Sequence, residues 1–259
     1  MSERLGHHHL PFPTLGRESM LLALTWAAGA IDAISYLGLG HVFTAMMTGN
    51  TVLLGLALAQ GEALAALRSI LALIGFSIGV FVGAIIVERD SKPTEWPVAV
   101  TAALALEAFV LAIFSAAYSL GASERAAGAI LLLIALSSLA MGIQSAAVRR
   151  LGVPGIATTY ITGTITSLMV DLLGWLRSRA APLPVPRTAG DGSVEKSPSM
   201  PWEQRVGLLA AVVGLYCFGA LTGGVLLARS SPLATLLPFA ALLLVVVNAS
   251  AREWRDRHT

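Results

Sequence analysis

The sequence predicts an all-α polytopic membrane helix bundle built from two four-segment internal repeats, and three observations predict it. Hydrophobic residues make up 56% of the 259 positions and charged residues only 12%, about half the charged share of a soluble domain. Several windows of 18 or more residues carry no charge at all, which is the length a helix needs to cross hydrocarbon. A polar phrase also recurs inside apolar sequence: Thr44-x-x-x-Thr48-Gly49 returns as Thr158-x-x-x-Thr162-Gly163, 114 positions later.

Composition excludes several classes. At this length surface-to-volume scaling leaves a soluble core too small for so much apolar sequence. The net charge is +2 without a clustered basic patch, so no nucleic-acid partner is expected. The single cysteine, Cys217, lies in an apolar stretch, so a disulfide framework is neither formed nor needed. Residues 1–18 run into the first apolar segment without a small-residue cleavage pattern, and read as a cytoplasmic tail rather than a removed leader. The His7-His8-His9 run in that tail reads as solvated.

Eight apolar segments follow, each expected to be helical: 19–38, 42–60, 64–88, 97–119, 126–148, 156–176, 205–228 and 232–249. Gly38 and Gly40 close the first and Gly61 closes the second. Pro97 and Pro232 open the fourth and eighth, where the missing N–H costs nothing. Residues 179–202 hold Pro182, Pro184, Pro186, Pro198 and Pro201 and read as a disordered linker. A tail over 250–259 completes the chain.

The repeat reaches beyond the opening phrase. Asp32 to Gly40 matches Gln144 to Gly152 in spacing, Gly79-x-x-x-Gly83 matches Gly219-x-x-x-Gly223, and Pro97-x-Ala99 matches Pro232-x-Ala234. These blocks are collinear, so the first membrane repeat is placed at 19–119 and the second at 126–249. Topology forks here, between six and eight transmembrane helices. Eight spans put 12 Lys+Arg inside and 5 outside; six spans with two re-entrant Thr-Gly segments give 14 and 3, the better fit to the positive-inside rule. Eight spans imply parallel halves and six imply inverted ones. Both termini are cytoplasmic under either reading.

The residues able to carry chemistry are few. Asp32 falls well inside the first apolar segment, where a carboxylate costs at least a few kcal/mol and needs a cavity, a partner or a proton. Gln144, its match in the second repeat, is polar but cannot titrate. Glu107 is a second intramembrane acid, matched by Leu242, and is a second candidate for proton coupling. Thr48, Gly49, Asn50, Thr162 and Gly163 supply hydroxyl, amide and backbone groups, as discontinuous transporter helices do. Against this stands threonine's habit of bonding back to its own helix. Gly75, Gly79, Gly83, Gly219 and Gly223 form small-residue faces suited to helix packing or homo-oligomerisation. No His-Glu-x-x-His, Gly-x-Ser-x-Gly or phosphate-binding glycine loop is present. The chain therefore reads as no enzyme, with no metal and no cofactor.

Ala28-Gly29-x-x-Asp32-Ala33, Met47-Thr48-Gly49-Asn50-Thr51, Met141-Gly142-x-Gln144 and Thr158-Thr159-Tyr160-x-Thr162-Gly163-Thr164 resemble the YoaK-like family of uncharacterised bacterial multi-pass transmembrane proteins. The resemblance covers about 20–249 and implies a multi-pass protein of the bacterial cytoplasmic (inner) membrane, carrying a domain of unknown function. Two lysines against fifteen arginines fit a GC-rich bacterium. The function expected from the residues is a small-solute transporter or permease-like protein, proton-coupled through Asp32 or Glu107. Its site would lie between the repeats, at Asp32, Thr48, Gly49, Asn50, Gln144, Thr162 and Gly163. The competing expectation is a non-transporting membrane scaffold or sensor whose polar residues only lock helices. The expected partners are the lipid bilayer and an unidentified small solute.

Overall fold

The structure, a computed structural model, describes residues 15–90, 94–120, 127–153, 158–159, 161–180, 201–229 and 233–256. These are helical almost throughout. The eight helices are α1 (Arg17–Gly38), α2 (Met47–Gln60), α3 (Ala63–Val87), α4 (Val98–Leu120), α5 (Ala127–Leu151), α6 (Ile161–Ala180), α7 (Trp202–Ala228) and α8 (Leu233–Asp256).

Six of these helices, all but α2 and α6, are long and apolar enough to cross a membrane. The 14 residues of α2 reach only about 21 Å, short of a hydrocarbon core of about 30 Å. Its glycine Gly61 takes the left-handed conformation, φ 74°, that turns the chain directly into α3.

Helix direction follows from which residues meet. Along α1 and α7, Gly29 lies against Tyr216, Gly219 against Trp26 and Ala30, and Gly38 against Leu227, so the two run parallel. Along α3 and α5, Gly75 meets Ser138, Gly79 meets Leu139 and Gly142, and Gly83 meets Ala146, again in parallel. At Gly29, Gly219, Gly75, Gly79 and Gly83 an added Cβ would fall on the partner backbone or side chain, so glycine is what allows such close approach.

One end of the bundle, here called proximal, is where α1 starts. Arg17 there donates to the carbonyl of Leu151 at the end of α5, and Arg150 donates to the carbonyl of Asp90 just past α3 at 2.7 Å. At the opposite, distal end the Arg68 guanidinium of α3 covers Gly40 just past α1. Hence α1 and α3 are antiparallel, and α2, which joins them, leaves and returns at the distal end. By the same reasoning α6 joins the proximal end of α5 to the proximal start of α7. Ion pairs Asp171–Arg205 and Arg179–Glu203, both 2.8 Å, fasten it to α7. This is the six-span arrangement of the two weighed from charge.

Helix starts differ from the sequence pattern at two places. The segment expected from 42 begins as a helix only at Met47, and in the segment expected from 156 the described residues ahead of Ile161, Thr158 and Thr159, form a turn. In the first case the residues ahead of the helix give their N–H groups to a side chain of α1 instead of to a helical ladder. At the C-terminus α8 runs on to Asp256, because Glu253 accepts a hydrogen bond from Thr101 of α4 and Arg252 donates to the Leu15 carbonyl. Residues 1–14, with the histidine run, and most of the proline-rich linker fall outside the described residues.

Candidate functional site

Asp32 sits six residues before the end of α1 and is 3% exposed. Its Oδ1 accepts the backbone N–H of Thr44 at 2.8 Å and of Ala45 at 2.7 Å. Its Oδ2 accepts the hydroxyl of Tyr216 on α7. Tyr216 comes this near because Gly29, one turn before Asp32, lets the α7 backbone close onto α1. The carboxylate thus ties together α1, α7 and the segment leading into α2. Hydrogen bonds to a charged group contribute about 1.5–3 kcal/mol each, so three of them offset much of the cost of burying it.

The loop between α1 and α2 is held at further points. Ser35 donates to the Ile31 carbonyl at 2.8 Å, which leaves its oxygen to accept the Thr44 hydroxyl at 3.0 Å. Asn50, fully buried, accepts the N–H of Phe43 at 2.9 Å and donates to the carbonyl of Phe43 at 2.6 Å. The Phe43 ring lies over Gly49 and stacks on Tyr36 with centroids 4.9 Å apart.

Gln144 occupies a separate cluster. Its Nε2 donates to Thr158 Oγ1 at 2.9 Å and to the carbonyl of Leu24 at 3.3 Å. Leu24 precedes Asp32 by eight residues of α1, about 12 Å along the axis. Asp32 and Gln144 therefore share no partner, and the two polar clusters stand at different depths. Next to Gln144, the Ser145 and Thr159 hydroxyls are 2.7 Å apart.

The Thr-Gly residues divide by orientation. Thr44 and Thr158 are buried, whereas Thr48 and Thr162 are exposed on α2 and α6. Gly49 and Gly163 are half-buried. Only the earlier threonine of each phrase thus faces the interior. Glu107, fully buried on α4, has neither carboxyl oxygen hydrogen-bonded among the described residues, and the Gln144 Oε1 is likewise without a partner.

A cavity of about 490 Å³ opens beside the second polar cluster, within the usual size range of small-molecule sites. Its wall is mainly apolar, from Phe76, Val80, Val148 and Val153, with the Ser145, Thr158 and Thr159 hydroxyls and Arg149 as polar groups. No group of three or more potential metal ligands occurs among the described residues.

Sequence reasoning missed Tyr216 and Ser145. A signal for both was present: Tyr216 stands three residues before Gly219, as Phe76 stands before Gly79, and Ser145 follows Gly142 as Asp32 follows Gly29. Those offsets put all four on helix faces that pack against a partner.

Six helices long and apolar enough to cross a membrane, two further helices beside them and buried polar clusters define a multi-pass helical membrane protein. The chain belongs to the family described as protein of unknown function (DUF1275), whose model matches residues 20–249. It is similar to the UPF0700 transmembrane protein YoaK of Bacillus subtilis (strain 168), with 46% identity over 160 residues, 62% of this chain and 69% of the relative. No solved structure matches.

Proposed function

We propose that this protein is a small-solute transporter or permease-like protein of the bacterial cytoplasmic membrane, built from two inverted repeats, α1–α4 and α5–α8. The observation that carries this reading is that α2 leaves and returns at the distal end while α6 does so at the proximal end. Each follows a span holding buried polar residues. Exchanging the two sets of four helices maps α1 beside α7 onto α5 beside α3, glycine crossings included. Inverted repeats with discontinuous helices support alternating access in many transporters.

In this reading Glu107 carries the coupling proton, since an unpartnered acid deep in the bundle is a default functional site. Asp32 closes the distal side by holding Tyr216 and the start of α2. The proximal end is cytoplasmic: Arg17, Arg89, Arg149, Arg150, Arg205 and Arg252 gather there, against Arg68 and Arg229 at the distal end, as the positive-inside rule requires. The hydrogen-bond satisfaction of Asp32 favours a second reading, a scaffold or sensor in which this carboxylate only locks helices.

Flux separates the two. Liposomes holding the wild type should release or take up at least one solute of a panel under an imposed pH gradient, and Glu107→Gln should remove the dependence on the gradient. If no solute moves faster than in empty liposomes while the protein is folded, the scaffold reading stands.

A further inference from the structure

Two glycines mark matching points on the paired helices. Gly29 of α1 lies against the backbone of Tyr216 on α7, and Gly142 of α5 lies against the backbone of Phe76 on α3. Three residues beyond Gly29 stands Asp32; three beyond Gly142 stands Ser145. Packing thus pairs Asp32 with Ser145, one residue past the pairing with Gln144 that the sequence blocks suggest.

The consequence is chemical. In the first unit the Asp32 carboxylate fills the space between the Tyr216 hydroxyl and the N–H groups of Thr44 and Ala45. The matching residues of the second unit are Ser145, Phe76, Thr158 and Thr159, and all four line the cavity. The cavity therefore lies where the first unit keeps its own carboxylate. Serine removes the acid, and phenylalanine removes the hydroxyl that would cap it. Arg149, one turn beyond Ser145, is an exposed residue of the same wall and has no ion pair among the described residues.

We propose that this cavity binds a small organic carboxylate, whose anionic head takes the place held by the Asp32 carboxylate in the first unit. Arg149 supplies the countercharge and Thr158, whose oxygen accepts from Gln144, supplies its hydroxyl proton, while Ser145 donates to the Met141 carbonyl and accepts from Thr159, the small pair that leaves the space open. Phe76, Val80 and Val153 receive a short apolar body. The proposal rests on the inverted-repeat transporter reading and names its substrate class. An anionic lipid headgroup has the same chemistry, an anionic oxygen group on an apolar body, and is distinguished by experiment.

The test is equilibrium titration of the purified full chain in nonionic detergent with octanoate, followed calorimetrically, with octanol as the uncharged comparison. Octanoate should bind saturably and octanol at least tenfold more weakly. Arg149→Gln, at an exposed position, should weaken octanoate at least tenfold, while Arg177→Gln should leave it unchanged. Ser145→Asp, which supplies the carboxylate from the chain itself, should abolish binding, and Ser145→Asn should retain part of it.

Non-saturating octanoate, equal binding of octanol, or wild-type affinity in Arg149→Gln each overturns the proposal. Repeating the titration in phosphatidylcholine nanodiscs with and without phosphatidylglycerol identifies the source of the anion: unchanged affinity supports a free solute, and competition by phosphatidylglycerol overturns it in favour of a lipid headgroup. Binding in micelles needs no flux, so the two readings fail separately. Arg149-dependent binding without transport sustains the cavity and sinks the transporter. Solute flux indifferent to Arg149→Gln and Ser145→Asp does the reverse.

Discussion

The hydroxyl of Tyr216 donates to a carboxylate oxygen of Asp32 across 184 residues of sequence. This one bond joins α1 to α7 at the level where Gly29 brings their backbones together. The other oxygen of the same carboxylate holds the segment that introduces α2.

Removing either partner should cost more than its own bond. Asp32→Ala leaves a buried hydroxyl and two backbone N–H groups without acceptors, and should destabilise the protein by about 3 kcal/mol or more. Tyr216→Phe removes one donor from the buried carboxylate and should cost about 2–3 kcal/mol. Equilibrium unfolding in mixed micelles measures both. The double variant should fall short of the sum by at least about 1 kcal/mol; strict additivity would show that the two residues do not act together.

The glycine crossings make a sharper packing prediction. A Cβ at Gly79 falls on the Leu139 carbonyl and one at Gly219 on the Trp26 carbonyl, whereas one at Gly55 or Gly214 meets nothing within 4 Å. Gly79→Ala and Gly219→Ala should each lower stability by about 1–3 kcal/mol through forced separation of backbones. Gly55→Ala and Gly214→Ala should be neutral or slightly stabilising, because alanine is the better helix former. Thermal aggregation in detergent ranks the four, and equal losses at all of them would remove the close-approach explanation.

The position of α2 can be read by labelling. After Cys217→Ser, a cysteine at Glu62 should react with a membrane-impermeant maleimide from outside intact cells. A cysteine at Asp90 should react only after the inner membrane is opened. Both reacting from the same side would mean that α3 does not cross, and the six-span arrangement would fall.

Glu107 differs from Asp32 in lacking hydrogen-bond partners among the described residues. Its isosteric variant Glu107→Gln should therefore unfold within about 1 kcal/mol of the wild type, while Asp32→Asn, which puts an amide among existing donors, should lose more. The same unfolding assay applies. A large loss for Glu107→Gln would identify a structural partner and withdraw the acid from proton coupling.

Much of the architecture was legible in sequence because it follows from local rules. Apolar windows and their breakers located eight helices, since a helix in hydrocarbon must satisfy its own backbone. The residues Gly75, Gly79, Gly83, Gly219 and Gly223 stood out because spacing by four fixes a helix face. The site was less legible. Thr48 and Thr162 drew attention as part of the recurring phrase, yet they face outward, and the buried members are Thr44 and Thr158. A membrane protein is apolar on its outer faces as well as in its core, so the polarity contrast that tells an inward face from an outward one in water is missing.

The sequence by itself determined the class of protein, the number and order of its helices, and the residues too polar for their surroundings. These depend on composition and on spacing within single segments. Only the tertiary structure decided that α2 and α6 return to the ends they leave, that Asp32 answers to Tyr216, and that Ser145 stands beside a cavity. Those facts depend on how α1 meets α7 and how α3 meets α5. Such contacts join residues far apart in the chain, and no local periodicity records them.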